Sequence, residues 1–293
     1  GFITPSVPFA ERWFIKMNFR MIVLQQMTTV WFLKNMGGIT MKKRIKSIGM
    51  TAGLLAVLAG CSAVQTDTDY MELRQQALDT LNAEEAVRSV TDSAITVDDE
   101  NQTIVNELWF IDENHWLQES HVGEDQTSWM VIYDGNQYSR NVASDLDTGW
   151  MKWETPTVME ELAKGDYEET MVLEEGQRQD DGTQITCSVP KEALEETWAE
   201  NTKNLPEEFA QQSEKPESAQ YTYYLDDEDK LTRIETVWKS TMKQQEGEEL
   251  IDVNITSTTS ATFEPVAREE AMQKIKETYQ EAMSNVQNAA ENS

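Results

Sequence analysis

Glu249-Leu250-Ile251-Asp252-Val253-Asn254-Ile255-Thr256-Ser257-Thr258-Thr259-Ser260-Ala261-Thr262-Phe263 alternates along its whole length. Ile251, Val253, Ile255, Ser257, Thr259, Ala261 and Phe263 share one face, and Asp252, Asn254, Thr256, Thr258, Ser260 and Thr262 share the other. A period of two is the signature of a strand. The contrast between the faces marks an antiparallel strand with a core side and a wet side. Just upstream, Tyr221–Leu225 and Leu231–Ser240 flank the turn Asp226-Asp227-Glu228-Asp229-Lys230, a second strand pair. Just downstream, Pro265 opens a helix in which Ala271, Ile275, Tyr279 and Met283 recur every four residues.

Further upstream the pattern repeats. Thr103–Asp112, His115–Val122 and Ser128–Tyr133 are rich in β-branched and aromatic residues and are separated by turn-like clusters. Asp134-Gly135 between Ile132-Tyr133 and Gln137-Tyr138 signals a tight hairpin. Gly149–Trp153 reads as a short strand and Pro156–Ala163 as a short helix. Tyr167–Gln177 and Thr183–Val189 are two more strands, Lys191–Ala210 a helix, and residues 211–219 a polar linker. A first helix is expected from Asp69 to Arg88, with Tyr70, Leu73, Ala77 and Leu81 at helical spacing. Sequential strands joined by short turns, with few helices between them, place the chain in the α+β class: a large antiparallel sheet with helices packed on one face.

The N-terminal part has a different character. Met41-Lys42-Lys43-Arg44-Ile45-Lys46 is a basic cluster, an apolar run follows from Ile48 to Leu58, and the run ends in Leu58-Ala59-Gly60-Cys61. The run is too short to span a bilayer and long enough for the apolar region of a signal peptide. With that box at its end, the segment resembles the lipobox signal of bacterial lipoproteins. The resemblance implies a diacylglycerol with palmitate-type acyl chains on the Cys61 thiol, cleavage between Gly60 and Cys61, and anchoring at the extracytoplasmic side of the cell membrane. Two acyl chains suffice for stable anchoring. The expected organisation is therefore an upstream extension over residues 1–40, a signal peptide over 41–60, a tether over 61–68, one domain over 69–288 and a frayed tail over 289–293.

Composition bounds the function. Of 24 basic and 53 acidic residues, eight and one precede Cys61, which leaves 16 against 52 and a formal charge of −36 from Cys61 onward. A surface of that sign argues against nucleic acid, whose binding needs clustered Lys and Arg. It also argues against lying flat on anionic lipid. Beyond Cys61 there is one further cysteine, Cys187, in the alternating run Ile185-Thr186-Cys187-Ser188-Val189, so no internal disulfide is expected and Cys187 reads as a small core residue. His115 and His121 would share a strand face about 20 Å apart, too far to hold one metal ion. Asp226-Asp227-Glu228-Asp229 lacks the spacing and the glycine of a calcium loop. No phosphate loop, nucleophile elbow or zinc spacing occurs. The expectation is a non-enzyme without cofactor or metal.

Three stretches resemble the LolA-like half-barrel lipoproteins and lipid carriers, especially uncharacterised Gram-positive relatives. They are Tyr133-Asp134-Gly135-Asn136-Gln137-Tyr138, Val189-Pro190-Lys191-Glu192-Ala193-Leu194, and Tyr223-Tyr224-Leu225-Asp226 followed by Leu231-Thr232-Arg233-Ile234. The resemblance implies a curved, unclosed barrel whose concave face holds acyl chains, and a role in lipid or lipoprotein handling at the cell envelope. Trp129, Val131 and Tyr133, Tyr221, Tyr223 and Leu225, and Ile234 and Trp238 are the candidate apolar groove residues, since each set falls on one face of its strand. The alternative is a structural, sensing or protein-interaction lipoprotein that meets an envelope partner through its surface and has no ligand cavity.

Gly37-Gly38 just before Met41 can be encoded as a ribosome-binding site, so Met41 is the expected start and residues 1–40 translated upstream sequence. Peptide mass spectra of the protein from its native cells should then contain no peptide from residues 1–40; one such peptide would refute the reading.

Overall fold

The computed structural model describes residues 67–291, apart from 99, 145, 154–166, 168, 169, 204–212, 247 and 248. The lipobox, residues 61–66 of the expected tether, the helix expected at Pro156–Ala163 and the last two residues lie outside the described part, while Asp67 and Thr68 of that tether already belong to the first helix. Helix α1 (Asp67–Asn82) leads into a run of hairpins: β1 (Val87–Val97), β2 (Glu100–Asp112), β3 (His115–Val122), β4 (Gln126–Tyr133) and β5 (Asn136–Ala143), then the short β6 (Leu146–Asp147) and β7 (Met151–Trp153). A second run comprises β8 (Val172–Gln179), β9 (Gly182–Ser188), helix α2 (Lys191–Thr202), β10 (Lys215–Leu225), β11 (Leu231–Glu246) and β12 (Glu249–Pro265), and helix α3 (Arg268–Glu291) ends the fold.

All twelve strands form one sheet in the order β6-β5-β4-β3-β2-β1-β12-β11-β10-β9-β8, with β7 also on β5. Every pairing is antiparallel. The outermost strands do not meet, so the sheet is an unclosed half-barrel. Twist accumulates from strand to strand, and a sheet of this width curls rather than staying flat. The turns are those their residues favour. Asp134 and Gly135 both have positive φ, 47° and 73°, as a two-residue hairpin loop matched to strand twist requires. In the acidic turn, the Asp226 carboxylate accepts hydrogen bonds from the backbone N–H of Glu228 and of Lys230.

Several boundaries differ from expectation: the strand expected at Tyr167–Gln177 begins at Val172, after a turn at Tyr167–Thr170, and the helix expected at Lys191–Ala210 ends at Thr202. The first helix stops at Asn82 instead of Arg88, and Val87–Val97 is a strand. In β1 the buried positions Ser89, Thr91 and Ser93 are hydroxylic and the opposite face carries Val90 and Ala94, so no apolar alternation announces it. The linker expected at 211–219 is already β10 from Lys215 onward, where Pro216 is buried. Pro265 closes β12 rather than opening the helix, which begins at Arg268.

Parity within the ladder separates the two faces. The inner face carries Phe110, Trp116, Ile132, Phe263, Tyr221, Tyr223 and Ile185, and α1 lies on it through Tyr70, Ala77, Leu78 and Leu81. The helix α2 packs against β10 and adds Leu194 to the same cluster. Where one helical face was the expectation, the helices divide: α3 covers the outer face of β2–β5, with Ala271, Ile275 and Ala282 against Ile111, Leu117, Val131 and Tyr138. The physical reason is that β2 and β4 carry apolar side chains on both sides, with Leu117 and Tyr138 beside them on the outer face, and both sides must leave water. Across β10–β12 the outer face carries the polar side chains Thr222, Glu235, Lys239, Thr258 and Thr262.

The seating of α1 depends on Gly176 in β8, because a Cβ there would lie 2.3 Å from the Tyr70 ring. Gly176→Ala should cost about 1–3 kcal/mol in urea unfolding, the usual cost of overpacking. In a Tyr70→Ala background the same substitution should add almost nothing. A Gly176→Ala protein as stable as the parent would contradict this helix placement.

Candidate functional site

The middle of the inner face is built from small residues. Ser89, Thr91 and Ser93 of β1, Ser257 and Thr259 of β12, and Thr236 and Ser240 of β11 are all buried. Neighbouring strands continue the band with Asn106, Ser120 and Ser139. One row of register partners runs from β3 to β9 through Ser120, Asn106, Thr91, Ala261, Ile234, Tyr223 and Ile185. Bulky side chains stand on either flank: Phe110, Trp116 and Ile132 on one, Ile185, Tyr221, Tyr223 and Leu225 on the other. Short side chains thus form a buried band, the trough, between bulkier flanks, interleaved with Leu108, Phe263, Ile234 and Trp238 on the same face.

The trough is hydroxylic but not bare of hydrogen bonds. Ser93 Oγ and Thr259 Oγ1 are 3.1 Å apart, Gln118 Nε2 donates to Ser120 Oγ at 3.0 Å, and Trp153 Nε1 donates to Ser139 Oγ at 2.8 Å. At the β11 side, Trp238 Nε1 donates to the Glu214 carboxylate at 3.0 Å, and the Ser240 hydroxyl donates to the same oxygen. Hydroxyls bonded to protein groups present their carbon surface to whatever lies beside them, which lowers the cost of placing an alkyl chain there.

Of the eight candidate groove residues, Tyr221, Tyr223, Leu225, Ile234 and Trp238 stand on the inner face. Trp129, Val131 and Tyr133 do not join them: Val131 pairs with Leu117 and Tyr138 in the cluster under α3. Tyr133 stacks on Tyr279 at 4.9 Å, and the Arg140 guanidinium sits 5.7 Å from the Trp129 ring centre. Alternation on β4 correctly groups the three but cannot say which side of the sheet they take, because both sides of β4 are apolar. Sequence reading missed the hydroxylic band. Its one visible trace was Ser257 and Thr259 on the core side of β12. Cys61 and the residues before it lie outside the described part.

The remaining polar groups do not assemble into a reactive centre. His115 bridges Asp112 at 2.8 Å and Asp134 at 3.0 Å, and His121 meets Glu119 at 3.0 Å, all on the outer face. Cys187 is fully buried, burial pushes its thiol pKa up, and its nearest hydrogen-bond acceptor is the Met71 sulfur at 3.7 Å. Desolvation likewise raises the Tyr167 hydroxyl. Among the described residues no group of three or more His, Cys, Asp or Glu side chains could hold a metal ion, and no helix is long and apolar enough to cross a membrane.

No family model matches the chain, and no curated protein matches it in sequence. Among solved structures, the chain is similar to the lipoprotein LppX of Mycobacterium tuberculosis, at 11% identity and a TM-score of 0.32, over 69% of this chain and 99% of that one. It is also similar to LprF of Mycobacterium bovis, at 7% identity and a TM-score of 0.34, over 68% and 95%. A third is a LolA superfamily protein of Nitrosomonas europaea, at 6% identity and a TM-score of 0.22, over 69% and 92%. At such distances the likeness assigns neither ligand nor activity.

The outer helix and the inner trough are separable in this architecture. Tyr279→Ala should remove the stack on Tyr133 and the edge contact with Tyr138, at a cost of about 2–4 kcal/mol to thermal stability. Hydrogen exchange should rise in α3 and on β4–β5 while the inner-face strands β10–β12 keep their protection.

Proposed function

We propose that this protein is a non-catalytic, membrane-anchored lipoprotein that takes a lipid or similar apolar ligand along the inner face of its half-barrel. The observation that carries the reading is the band of small buried side chains between bulky apolar flanks on the inner face. Serine and threonine there present less bulk than Leu or Ile, and the aromatic flanks offer large apolar area for an acyl chain. The anchor in this reading is a diacylglycerol on Cys61, and the support for it is the basic cluster, apolar run and box of residues 41–61. The formal charge of −36 holds the domain off anionic lipid surfaces, which suits a body tethered by its lipid rather than lying flat.

Cys61→Ser should move the protein from the membrane fraction to the soluble extracytoplasmic fraction; unchanged membrane recovery would remove the anchor from the reading. For the ligand, native mass spectrometry with lipid extraction on residues 62–293 should return a near-stoichiometric lipid. Ser257→Leu with Ala261→Leu, at two buried positions of the band, should lower that occupancy. Overpacking there should cost about 1–3 kcal/mol per site. A clean apo mass from the parent would favour the surface-interaction alternative.

A further inference from the structure

The inner face holds one charge that the trough does not explain. Arg74 projects from α1 onto β8–β10 and is 4% exposed. Its Nη1 donates to the Tyr223 hydroxyl at 3.3 Å and to the Met171 sulfur at 3.3 Å. The guanidinium also lies 5.2 Å from the Tyr223 ring centre. Nε is buried and has no hydrogen-bond partner. Among the described residues no carboxylate lies within ion-pair distance of Arg74. Glu174 accepts from the Ser188 hydroxyl, and Glu214 from Trp238 and Ser240.

Arginine stays charged at any physiological pH and offers five N–H donors in a planar fork. A buried charge without a counter-ion is costly, and proteins ordinarily pair it. A phenol, a thioether and one aromatic face recover only part of the lost hydration. We infer that Arg74 is the headgroup site of the inner face and takes an oxyanion, carboxylate or phosphate, carried by the ligand. The inference rests on the lipid-binding reading above and narrows it to anionic amphiphiles with one apolar tail or more.

The surrounding charge sharpens the class. With 52 acidic residues against 16 basic from Cys61 onward, the domain repels small free anions at long range. An oxyanion therefore reaches Arg74 when burial of an attached apolar tail in the trough offsets that repulsion. Tail and headgroup divide the recognition: the trough takes alkyl length, and the guanidinium fork selects the head, which it can hold through two parallel hydrogen bonds.

The test uses the full chain carrying Cys61→Ser, so that no acyl anchor competes, and three radiolabelled probes in equilibrium dialysis: oleate, 1-oleoyl-lysophosphatidate and the uncharged monoolein. The parent should bind at least one of the two anionic probes about tenfold or more tighter than monoolein. A preference for oleate identifies a carboxylate head and a preference for lysophosphatidate a phosphate head; either supports the inference. Arg74→Gln should abolish the preference by weakening the anionic probes while leaving monoolein binding in place, and Arg74→Lys should retain it in part. Retained monoolein binding also shows that the variant is folded. Inorganic phosphate in millimolar excess should not compete. An anionic preference that survives Arg74→Gln, or a parent that favours monoolein, overturns the headgroup site and leaves the lipid-binding reading intact. Failure of all three probes to bind overturns both.

Discussion

The seam between β1 and β12 carries the architecture. Eleven register pairs, from Val87↔Pro265 to Val97↔Ile255, join the meander that starts at β1 to the meander that ends at β12. No other strand pairing connects the two runs of hairpins. Apart from β7 on β5, the remaining ladders link strands that are neighbours in sequence, and all of them can form locally. The seam must bring together residues on opposite ends of the domain and bears most of the loop-closure entropy. Once it forms, two half-sheets become one surface wide enough to curl, and the inner face exists as a single continuous trough.

On the β1 side the middle of the seam is built from small hydroxylic side chains. Ser89, Thr91 and Ser93 meet Phe263, Ala261 and Thr259 across it. That choice gives up the apolar burial a filled core would gain, at roughly 25 cal/mol per Å². Stability is recovered on the flanks, where Trp116, Leu117, Ile185 and Val131 are fully buried, and under the two helices that cover opposite faces. The division of labour follows from the sheet: flanks and helices supply the bulky packing, and the centre supplies small hydroxylic side chains. Arg74 extends the same logic to charge, since an incompletely satisfied guanidinium is tolerable in a fold whose surplus packing lies elsewhere.

Legibility varied with how strongly each segment contrasts its two faces. His115–Val122 was read to the residue, and β12 and the Asp134-Gly135 turn were read nearly as well. There the alternation or the turn chemistry is local and unambiguous. The expected helix runs into the first two residues of β1 and no element is expected over the rest, because the middle of its buried side is hydroxylic; the start of β10 reads as linker because Lys215–Gln220 is mostly polar. Of the candidate groove, the residues on β10 and β11 were placed on the inner face, and those on β4 went to the outer one.

By itself, the sequence determined the α+β class, the antiparallel hairpins, the acidic surface and the residues 41–61 that resemble a lipobox, because each depends on neighbours within about twenty residues. Tertiary structure alone decided that β1 pairs with β12, which face of β4 meets the inner trough, and that Arg74 is buried beside Tyr223 without a carboxylate. Those outcomes depend on which surfaces meet across more than a hundred residues of chain. A period of two groups side chains by face, but it carries no information about what each face will touch.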